Sequence, residues 1–355
     1  MTASQELRYS RQLRLPEVGP EGQRRLAEAS VFVVGAGGLG SPALHHLTAS
    51  GVGTIEVAEF DTVDVSNLHR QTLYSTADVG AAKLDAALRR LRSVNPDVRL
   101  VPHPVRLDAG NARDLIGRAS VVLDGSDTFA TRYVVSDASV ATGVPMVYAS
   151  VSQFSGQASV FGTSNGPCYR CLFPEPPPAG LIPNCEDGGV LGVVPALLGT
   201  IQATEALKLI LGIGRPLVGR LLLIDTLAMK TREIQFSKDP DCPACGTRPR
   251  RTETASNAVR EITASALRGR PDDYVLLDVR EPSEHQRDSL GGRLIPLGQL
   301  ADRTAELDGE RGHTLVVYCA SGGRSAQATQ LLNERGFSAL SLRGGLAAWR
   351  ASEVA

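Results

Sequence analysis

The sequence lacks the features that direct a protein to export, to a membrane or to nucleic acid. Residues 1–15 alternate charges and contain no apolar core, so no signal peptide is expected. The longest apolar stretch, from about Val190 to Leu211, is interrupted by Gln202, Glu205 and Lys208, which predicts a buried helix rather than a membrane span. A net charge of −1, without a broad cationic run, argues against nucleic-acid binding.

The composition is typical of a globular enzyme, with 42% hydrophobic and 21% charged residues. At 355 residues the chain exceeds the usual size of a single hydrophobic core, so two domains are expected. Six cysteines without an export signal indicate a reducing cytoplasm, where metal binding or catalysis is more common than disulfide formation.

Four of the six cysteines form two short pairs that lie far apart in the chain, Cys168-x2-Cys171 and Cys242-x2-Cys245. Such pairs, brought together in space, predict a tetrahedral Zn²⁺ site that joins two distant loops. Four sulfur ligands leave no open coordination position, so the site is expected to be structural. Redox cysteines and chance spacing remain the alternatives.

Short apolar strands alternate with helices and turns up to about residue 151, beginning with the run Val31–Gly35. This alternation predicts the α/β class, with a Rossmann-like, mainly parallel sheet and zinc-joined loops in a first domain of residues 1–245. Residues 246–257 are polar and rich in Arg and Thr, which indicates a linker. Residues 258–355 are expected to form a small second α/β domain.

The turn after the first strand carries the spacing Gly35-x-Gly37-x-x-Gly40 and opens a helix. Glycines in this pattern let backbone N–H groups approach phosphates at a helix N-terminus. Glu59 and Asp61 end the next strand, where a carboxylate can bind ribose hydroxyls. Taken alone, the pattern favours NAD, or a tight turn without a ligand.

The following loop changes that interpretation because it collects amide, hydroxyl and guanidinium groups in the string Ser66-Asn67-Leu68-His69-Arg70-Gln71, and Lys83 follows. Arg and Lys can neutralise the charge that develops as pyrophosphate leaves, which hydride transfer does not require. Asp127, at the carboxyl end of a strand, is well placed for Mg²⁺. The Lys-Ser/Thr phosphate loop of kinase-like proteins is missing.

These motifs and both cysteine pairs resemble the MoeB/ThiF branch of the ubiquitin-activating-type enzymes, over about residues 5–245. The resemblance implies that ATP adenylates the C-terminal glycine of a small ubiquitin-like sulfur-carrier protein and that pyrophosphate is released. The implied roles are phosphate binding by Gly37 and Gly38, ribose binding by Glu59, triphosphate binding by Asn67, Arg70 and Lys83, and metal binding by Asp127.

The resemblance also implies a homodimer, because Arg11 matches an arginine that the family donates across the subunit interface. Two positions depart from the family pattern. Glu59 replaces the usual Asp, which lengthens its reach by one methylene group. Thr128 replaces the usual Asn after Asp127, which puts that polar contact in doubt.

In the second domain the run Cys319-Ala-Ser-Gly-Gly-Arg324 lies between a buried strand and a helix. A loop so placed aims N–H groups and the positive helix end at the sulfur and favours its thiolate, and Arg324 adds a positive charge. Cysteine phosphatases and rhodanese sulfurtransferases both use such loops. Four residues separate Cys319 from Arg324, one fewer than in phosphatases, and Tyr318 replaces the phosphatase His, so the spacing favours sulfur transfer.

The region of about residues 258–352 resembles a single-domain rhodanese, which implies that Cys319 carries a sulfane sulfur. Ser289–Arg293 departs from that family's pattern, and a buried cysteine in an inactive domain remains the alternative. Cys185, outside both pairs, lies in a Pro- and Gly-rich segment. It matches a cysteine of fused relatives that bonds to the carrier or resolves an acyl disulfide; an idle surface thiol is the alternative.

Together these expectations describe a cytoplasmic, homodimeric adenylyltransferase and sulfurtransferase that uses ATP, Mg²⁺ and structural Zn²⁺. Its expected partners are a sulfur carrier ending in Gly-Gly and a persulfide donor such as a cysteine desulfurase. The sequence leaves molybdopterin, thiamine, cysteine and tRNA thiolation open as destinations of the sulfur. An NAD(P)-dependent oxidoreductase with a regulatory rhodanese domain is the alternative enzyme, and a carrier-docking adaptor is the alternative without turnover.

Overall fold

The computed structural model describes residues 1–176, 188–246, 260–270 and 273–352, which belong to two compact units. Cys185 and residues 247–257 of the predicted linker lie outside the described residues. The domain boundaries at 245 and 258 therefore stay predictions.

The first unit is built on an eight-stranded sheet in the order β3-β2-β1-β4-β5-β6-β7-β8. Strands β1 to β5 pair in parallel, whereas β6, β7 and β8 add to the sheet in antiparallel fashion. This confirms the mainly parallel sheet. The strands are β1 Ser30–Val34, β2 Thr54–Ala58, β3 Arg99–His103, β4 Val121–Asp124, β5 Met146–Ser152, β6 Ser155–Phe161, β7 Arg220–Asp225 and β8 Lys230–Gln235.

Helices cover this sheet and enclose two hydrophobic clusters, one that includes Val31 and Val33 and one that includes Phe32 and Val34. Strand β1 is therefore buried on both faces, as its continuous apolar sequence predicts. The helices are α1 Ala3–Arg8, α2 Gly19–Glu28, α3 Gly40–Ala49, α4 Lys83–Val94, α5 Ala112–Ile116, α6 Phe129–Thr142, α7 Tyr169–Leu172 and α8 Val193–Leu211. Short 3-10 turns cover Val65–Asn67 and Thr76–Asp78.

In the described ranges one helix, α8, has the length and apolar composition of a membrane span. It packs against α3 and strands β4, β5 and β6, and Leu198 and Ala206 are fully buried. The predicted core helix is therefore observed.

The order of the strands reverses at β1, which lies between β2 and β4. The register pairs Val34 with both Ala58 and Asp124, so the residues that follow these three strands meet at one edge of the sheet. In an open parallel sheet, the crevice beyond the carboxyl ends at such a reversal is the usual ligand site.

The second unit contains a five-stranded parallel sheet in the order β11-β10-β12-β13-β9. Its strands are β9 Glu261–Ile262, β10 Tyr274–Asp278, β11 Arg293–Leu294, β12 Thr314–Tyr318 and β13 Ser338–Leu342. Its helices are α9 Ala264–Gly269, α10 Pro282–Arg287, α11 Leu297–Arg303, α12 Gly323–Glu334 and α13 Gly345–Ala351, with a 3-10 segment at Thr304–Glu310. The central strand β12 leads directly into the Cys319 loop, and both predicted α/β domains are thus observed.

Candidate active sites

A cleft of about 380 Å³ opens at the carboxyl ends of β1, β2 and β4. Most of the predicted nucleotide-site residues line it, although they come from separate parts of the sequence. These lining residues are Gly35, Gly37, Gly38, Glu59, Asp61, Arg70, Gln71, Lys83, Asp127 and Thr128. Gly40, Ser66 and Asn67 lie outside the lining, and so does Arg11, whose side chain is exposed.

The glycine turn requires glycine at two positions for steric reasons. Gly35 has a φ of +85°, a conformation that residues with a Cβ rarely adopt. A Cβ on Gly40 would lie 2.0 Å from the carbonyl oxygen of Gly35, so this turn cannot accept a side chain there. Gly40 therefore shapes the turn, whereas Gly37 and Gly38 face the cleft.

Glu59 fixes the end of β2 against this turn. Its Oε2 accepts a hydrogen bond from the N–H of Ala36 at 2.9 Å. Its Oε1 accepts hydrogen bonds from the N–H groups of Phe60 at 2.8 Å and Asp61 at 3.0 Å. The longer side chain noted at this position thus joins the glycine turn to the second strand, and its carboxylate also lines the cleft.

Lys83 begins α4 and donates a hydrogen bond from Nζ to Oδ2 of Asp61 at 2.8 Å. The Lys83 side chain is only 7% exposed, whereas that of Asp61 is 58% exposed. The hydrogen bond from Lys83 lowers the pKa of Asp61, and the nearby positive charge of Arg106 adds to this effect. A buried, orientated ammonium group is thereby held at the wall of the cleft.

Arg70 and Gln71 are the residues of the string Ser66–Gln71 whose polar groups line the cleft. Nη1 of Arg70 donates to the carbonyl oxygen of Ser66 at 2.9 Å, which fixes the guanidinium group. Gln71 is 5% exposed, and its Oε1 has no hydrogen-bond partner. A buried polar atom without a partner costs about 1–3 kcal/mol, so a polar ligand that donates to it would be favoured.

Asp127 is exposed in the loop after β4 and has no hydrogen-bond or ion-pair partner among the described residues, whereas Thr128 caps helix α6. The Thr128 Oγ1 accepts a hydrogen bond from the N–H of Thr131 at 3.2 Å. Thr128 therefore stabilises the start of helix α6 in addition to lining the cleft.

Sequence reasoning missed Asp124 and Arg132, which form a buried ion pair beside the cleft. Nε of Arg132 lies 3.3 Å from Oδ2 of Asp124, and the two side chains are 5% and 0% exposed. Burial raises the pKa of Asp124, while Arg132 and hydrogen bonds from Ser126 oppose that shift. The pair holds the loop that carries Asp127, because Ser126 donates to Asp124 through both its N–H and its hydroxyl.

The four paired cysteines meet at one place. Their Sγ atoms all lie within 4.8 Å of one another, with separations of 3.4 Å for Cys168–Cys242 and Cys171–Cys245 and 3.8 Å for Cys168–Cys171. Tetrahedral ligands at a Zn–S distance of 2.3 Å would be roughly 3.8 Å apart. The donor set and its geometry therefore fit a metal ion.

Cys319 follows β12 and is 1% exposed. Its Sγ accepts hydrogen bonds from the N–H groups of Gly322 at 3.2 Å and Ser325 at 3.4 Å, at the start of α12. Behind the loop, the first turn of α13 donates from Leu346 to the carbonyl of Cys319 at 2.8 Å. A Cβ on Gly345 would lie 2.4 Å from that same oxygen, so only glycine allows this contact.

Arg324 does not bond to the sulfur. Its guanidinium group forms two 2.7 Å hydrogen bonds with the carboxylate of Glu284 on α10. These bonds lower the pKa of Glu284 to about 2. The positive charge expected beside Cys319 is therefore paired with the carboxylate of Glu284. The backbone N–H groups make the direct contacts to the sulfur.

The segment that departs from the rhodanese pattern, Ser289–Arg293, has defined contacts. Tyr318 donates from its hydroxyl to the carbonyl of Gly291 at 2.8 Å and accepts from the N–H of Leu290 at 3.2 Å. The same buried tyrosine that replaces the phosphatase histidine thus holds this segment. The fold and the two sites are those expected of an enzyme that uses a nucleotide and also carries a sulfur-transfer unit.

Comparison with known protein families divides the chain into the same two parts. A model of the ThiF family matches residues 9–244, and a model of the rhodanese-like domain matches residues 263–352. The chain belongs to the ThiF family and carries a C-terminal rhodanese-like domain. It is an enzyme of the adenylyltransferase and sulfurtransferase type, which favours nucleotide chemistry over the nicotinamide alternative.

Similar proteins include the sulfur carrier protein adenylyltransferase of Thermus thermophilus, 52% identical over an alignment of 251 positions, which covers 69% of this chain and 93% of that protein. The probable adenylyltransferase/sulfurtransferase MoeZ of Mycobacterium tuberculosis is 44% identical over an alignment of 365 positions, which covers 96% of this chain and 92% of that protein. A crystal structure of E. coli MccB with MccA-N7isoASN has a TM-score of 0.61 at 22% identity, over 67% of this chain and 74% of that one, and supports the fold alone.

Proposed function

We propose that the enzyme uses ATP to adenylate the C-terminal glycine of a ubiquitin-like sulfur carrier and then transfers sulfur from Cys319 to that carbonyl. The observation that carries the proposal is the cleft, which brings Arg70, Gln71, Lys83 and Asp127 beside a glycine turn. The names of the relatives, which include a sulfur carrier protein adenylyltransferase and a SAMP-activating enzyme, support a carrier protein as substrate.

In the first step a carboxylate oxygen of the carrier attacks the α-phosphorus of ATP, and pyrophosphate leaves. Lys83 and Arg70 are placed to neutralise the charge that develops on the phosphates. Asp127 would hold Mg²⁺, which neutralises the same charge when bound. The partnerless Oε1 of Gln71 can accept a hydrogen bond from the nucleotide. Arg11 would act from a second copy of the chain.

In the second step the terminal sulfur of a Cys319 persulfide attacks the acyl carbon, and AMP leaves. This forms an acyl disulfide between Cys319 and the carrier. A Cys185 thiolate would then attack Sγ of Cys319, which releases the carrier thiocarboxylate and leaves a Cys185–Cys319 disulfide. A thiol reductant must reduce that disulfide, and a persulfide donor, such as a cysteine desulfurase, reloads Cys319. The predicted linker would supply the reach that these steps need.

A homodimer in the cytoplasm completes the proposal. Apolar side chains near the start of α8, Val193 and Leu197, are 65% and 41% exposed in the single chain. Exposed apolar patches on a folded domain often mark protein interfaces. Together with the exposed Arg11, they support a second copy as the partner.

The proposal is tested with ATP, Mg²⁺, a sulfur donor and a small ubiquitin-like protein that ends in Gly-Gly. We expect pyrophosphate exchange into ATP and, by mass spectrometry, replacement of one carrier oxygen by sulfur. A carrier without its last glycine is the matched control and should show neither. Quenching of NADH fluorescence on binding, without any exchange, would overturn the proposal.

Zn²⁺ is the metal that we propose for the cysteine cluster, because four thiolates in tetrahedral arrangement suit it. Cys168→Ser should lose about one equivalent of bound zinc. It should also lower the free energy of unfolding by ~4 kcal/mol. This is the stabilisation that a ligand gives to the folded state when its free concentration is roughly 1,000 times its dissociation constant. Metal analysis and thermal unfolding check this, with Cys319→Ser as the control that keeps its zinc. Full zinc content in Cys168→Ser would reject the site.

A further inference from the structure

Ala36, the residue between the first two glycines of the turn, is held by three side chains. It is fully buried, and its N–H donates to Glu59 as described above. Its carbonyl oxygen accepts a hydrogen bond from the hydroxyl of Tyr74 at 2.9 Å and another from the hydroxyl of Ser41 at 3.1 Å. Both lone pairs of this oxygen are therefore used.

The direction of the Ala36 carbonyl fixes the direction of the next N–H. In a trans peptide the C=O and the following N–H point in opposite directions, and the described residues contain no cis peptide. Because the hydroxyls hold the carbonyl on the buried side, the N–H of Gly37 is directed to the other side, where Gly37 lines the cleft. That N–H donates to no acceptor in the described part of the chain.

We propose that Tyr74 and Ser41 are positioning residues whose hydroxyls hold the Ala36 carbonyl and so aim the Gly37 N–H at a nucleotide phosphate. This inference rests on the proposed function of the cleft. Tyr74 adds a further connection, because it follows Arg70 and Gln71 in the chain and so fastens their segment to the glycine turn. Neither hydroxyl is itself a ligand of the nucleotide.

The surroundings of the two hydroxyls suit this role. Ser41 is fully buried, and Tyr74 is 8% exposed. Burial, followed by the negative charges of Glu59 and Asp61, raises the pKa of the Tyr74 phenol, so the hydroxyl keeps its proton and remains a donor. The turn is thus held in its binding geometry before a nucleotide arrives, which reduces the ordering cost of binding.

Two conservative variants and their combination test the inference. In Tyr74→Phe or Ser41→Ala one hydroxyl remains on the carbonyl, so we expect the Kd for ATP to rise about threefold to tenfold, the range of one hydrogen bond. In the double variant the buried carbonyl has no partner. We expect its Kd to rise on the order of 100-fold, at the upper end of the product of the two single effects or above it.

Calorimetric titration of the full-length protein with ATP measures these values, and exchange kinetics give KM and kcat. The KM for ATP should rise while kcat at saturating ATP changes less than about threefold, because the turn contacts bound ATP before and during reaction. The matched control is Tyr9→Phe, which removes another buried tyrosine hydroxyl of the first unit, one that accepts a hydrogen bond from Asn95 at 2.8 Å. It should reduce thermal stability and leave the Kd unchanged.

The outcomes separate this inference from the function on which it rests. If the unmodified protein binds no ATP, the proposed function fails. If it binds ATP and all three variants bind it equally well, only the positioning role of Tyr74 and Ser41 is overturned. Equal loss of affinity in Tyr9→Phe would likewise overturn it, since general destabilisation would then explain the effect.

Discussion

Asp127→Ala is expected to abolish pyrophosphate exchange, with a loss on the order of 1,000-fold or more. Removal of one group that stabilises developing charge typically costs 100- to 1,000-fold, and loss of the Mg²⁺ that Asp127 is proposed to hold would add to that. Asp127 is exposed at the cleft, so its removal leaves no buried group without a partner. The variant should therefore fold with nearly unchanged stability, and the effect should be confined to turnover.

Exchange of radiolabelled pyrophosphate into ATP, with saturating carrier and Mg²⁺, measures this loss. Asp114→Ala is the matched control, because Asp114 is also exposed in the first unit but lies outside the cleft lining. We expect the control to retain full exchange. Substantial exchange in Asp127→Ala would mean that the metal ion is held elsewhere and that the loop after β4 has another purpose.

The residues of the cleft that could be predicted from sequence are those whose positions follow from local patterns. A strand, a glycine turn and a helix in succession place Gly37 at the cleft, and the carboxyl end of β2 places Glu59 beside it. Lys83, which follows the polar string in the sequence, begins α4 and lines the same cleft. These assignments depend only on neighbouring residues and on the rule that parallel strands share one binding edge.

The contacts that escaped prediction join residues whose distance in space depends on packing. Asp124 and Arg132 pair between a strand end and the helix after it, and neither belongs to a recognised nucleotide motif. Arg324 was expected to place its charge beside Cys319, yet its guanidinium group bonds to Glu284, 40 residues earlier. A pairing of this kind is decided by how α10 and α12 pack, which no local pattern encodes.

The cysteine pairs lie between these two kinds of residue, because their spacing is visible in the sequence whereas their meeting depends on packing. Each Cys-x2-Cys spacing is a local signal, but their meeting requires helix α7, with its first residues, and the segment after β8 to converge. The prediction succeeded because metal chemistry itself demands four ligands, so two isolated pairs imply each other. The need of a metal ion for four ligands can thus predict that distant residues meet, even when their packing is unknown. An ion pair such as Arg324–Glu284 has no such requirement.

Cys319→Ala should eliminate thiocarboxylate formation and leave pyrophosphate exchange within about twofold of the unmodified protein. No other thiol among the described residues sits in a loop of N–H donors at a helix start, so the persulfide has no alternative carrier there. All the described residues that line the cleft belong to the first unit, so loss of one sulfur in the second unit leaves these groups in place.

Mass spectrometry of the carrier and the exchange assay, run on the same preparation, separate the two activities. Cys319→Ser serves as a second variant, because its oxygen can still accept the hydrogen bonds from Gly322 and Ser325 but cannot hold a sulfane sulfur. Both variants should behave alike, which assigns the loss to missing chemistry rather than to a disturbed loop. If exchange also disappears in both, adenylation depends on the sulfur site, and the division of labour between the two units is refuted.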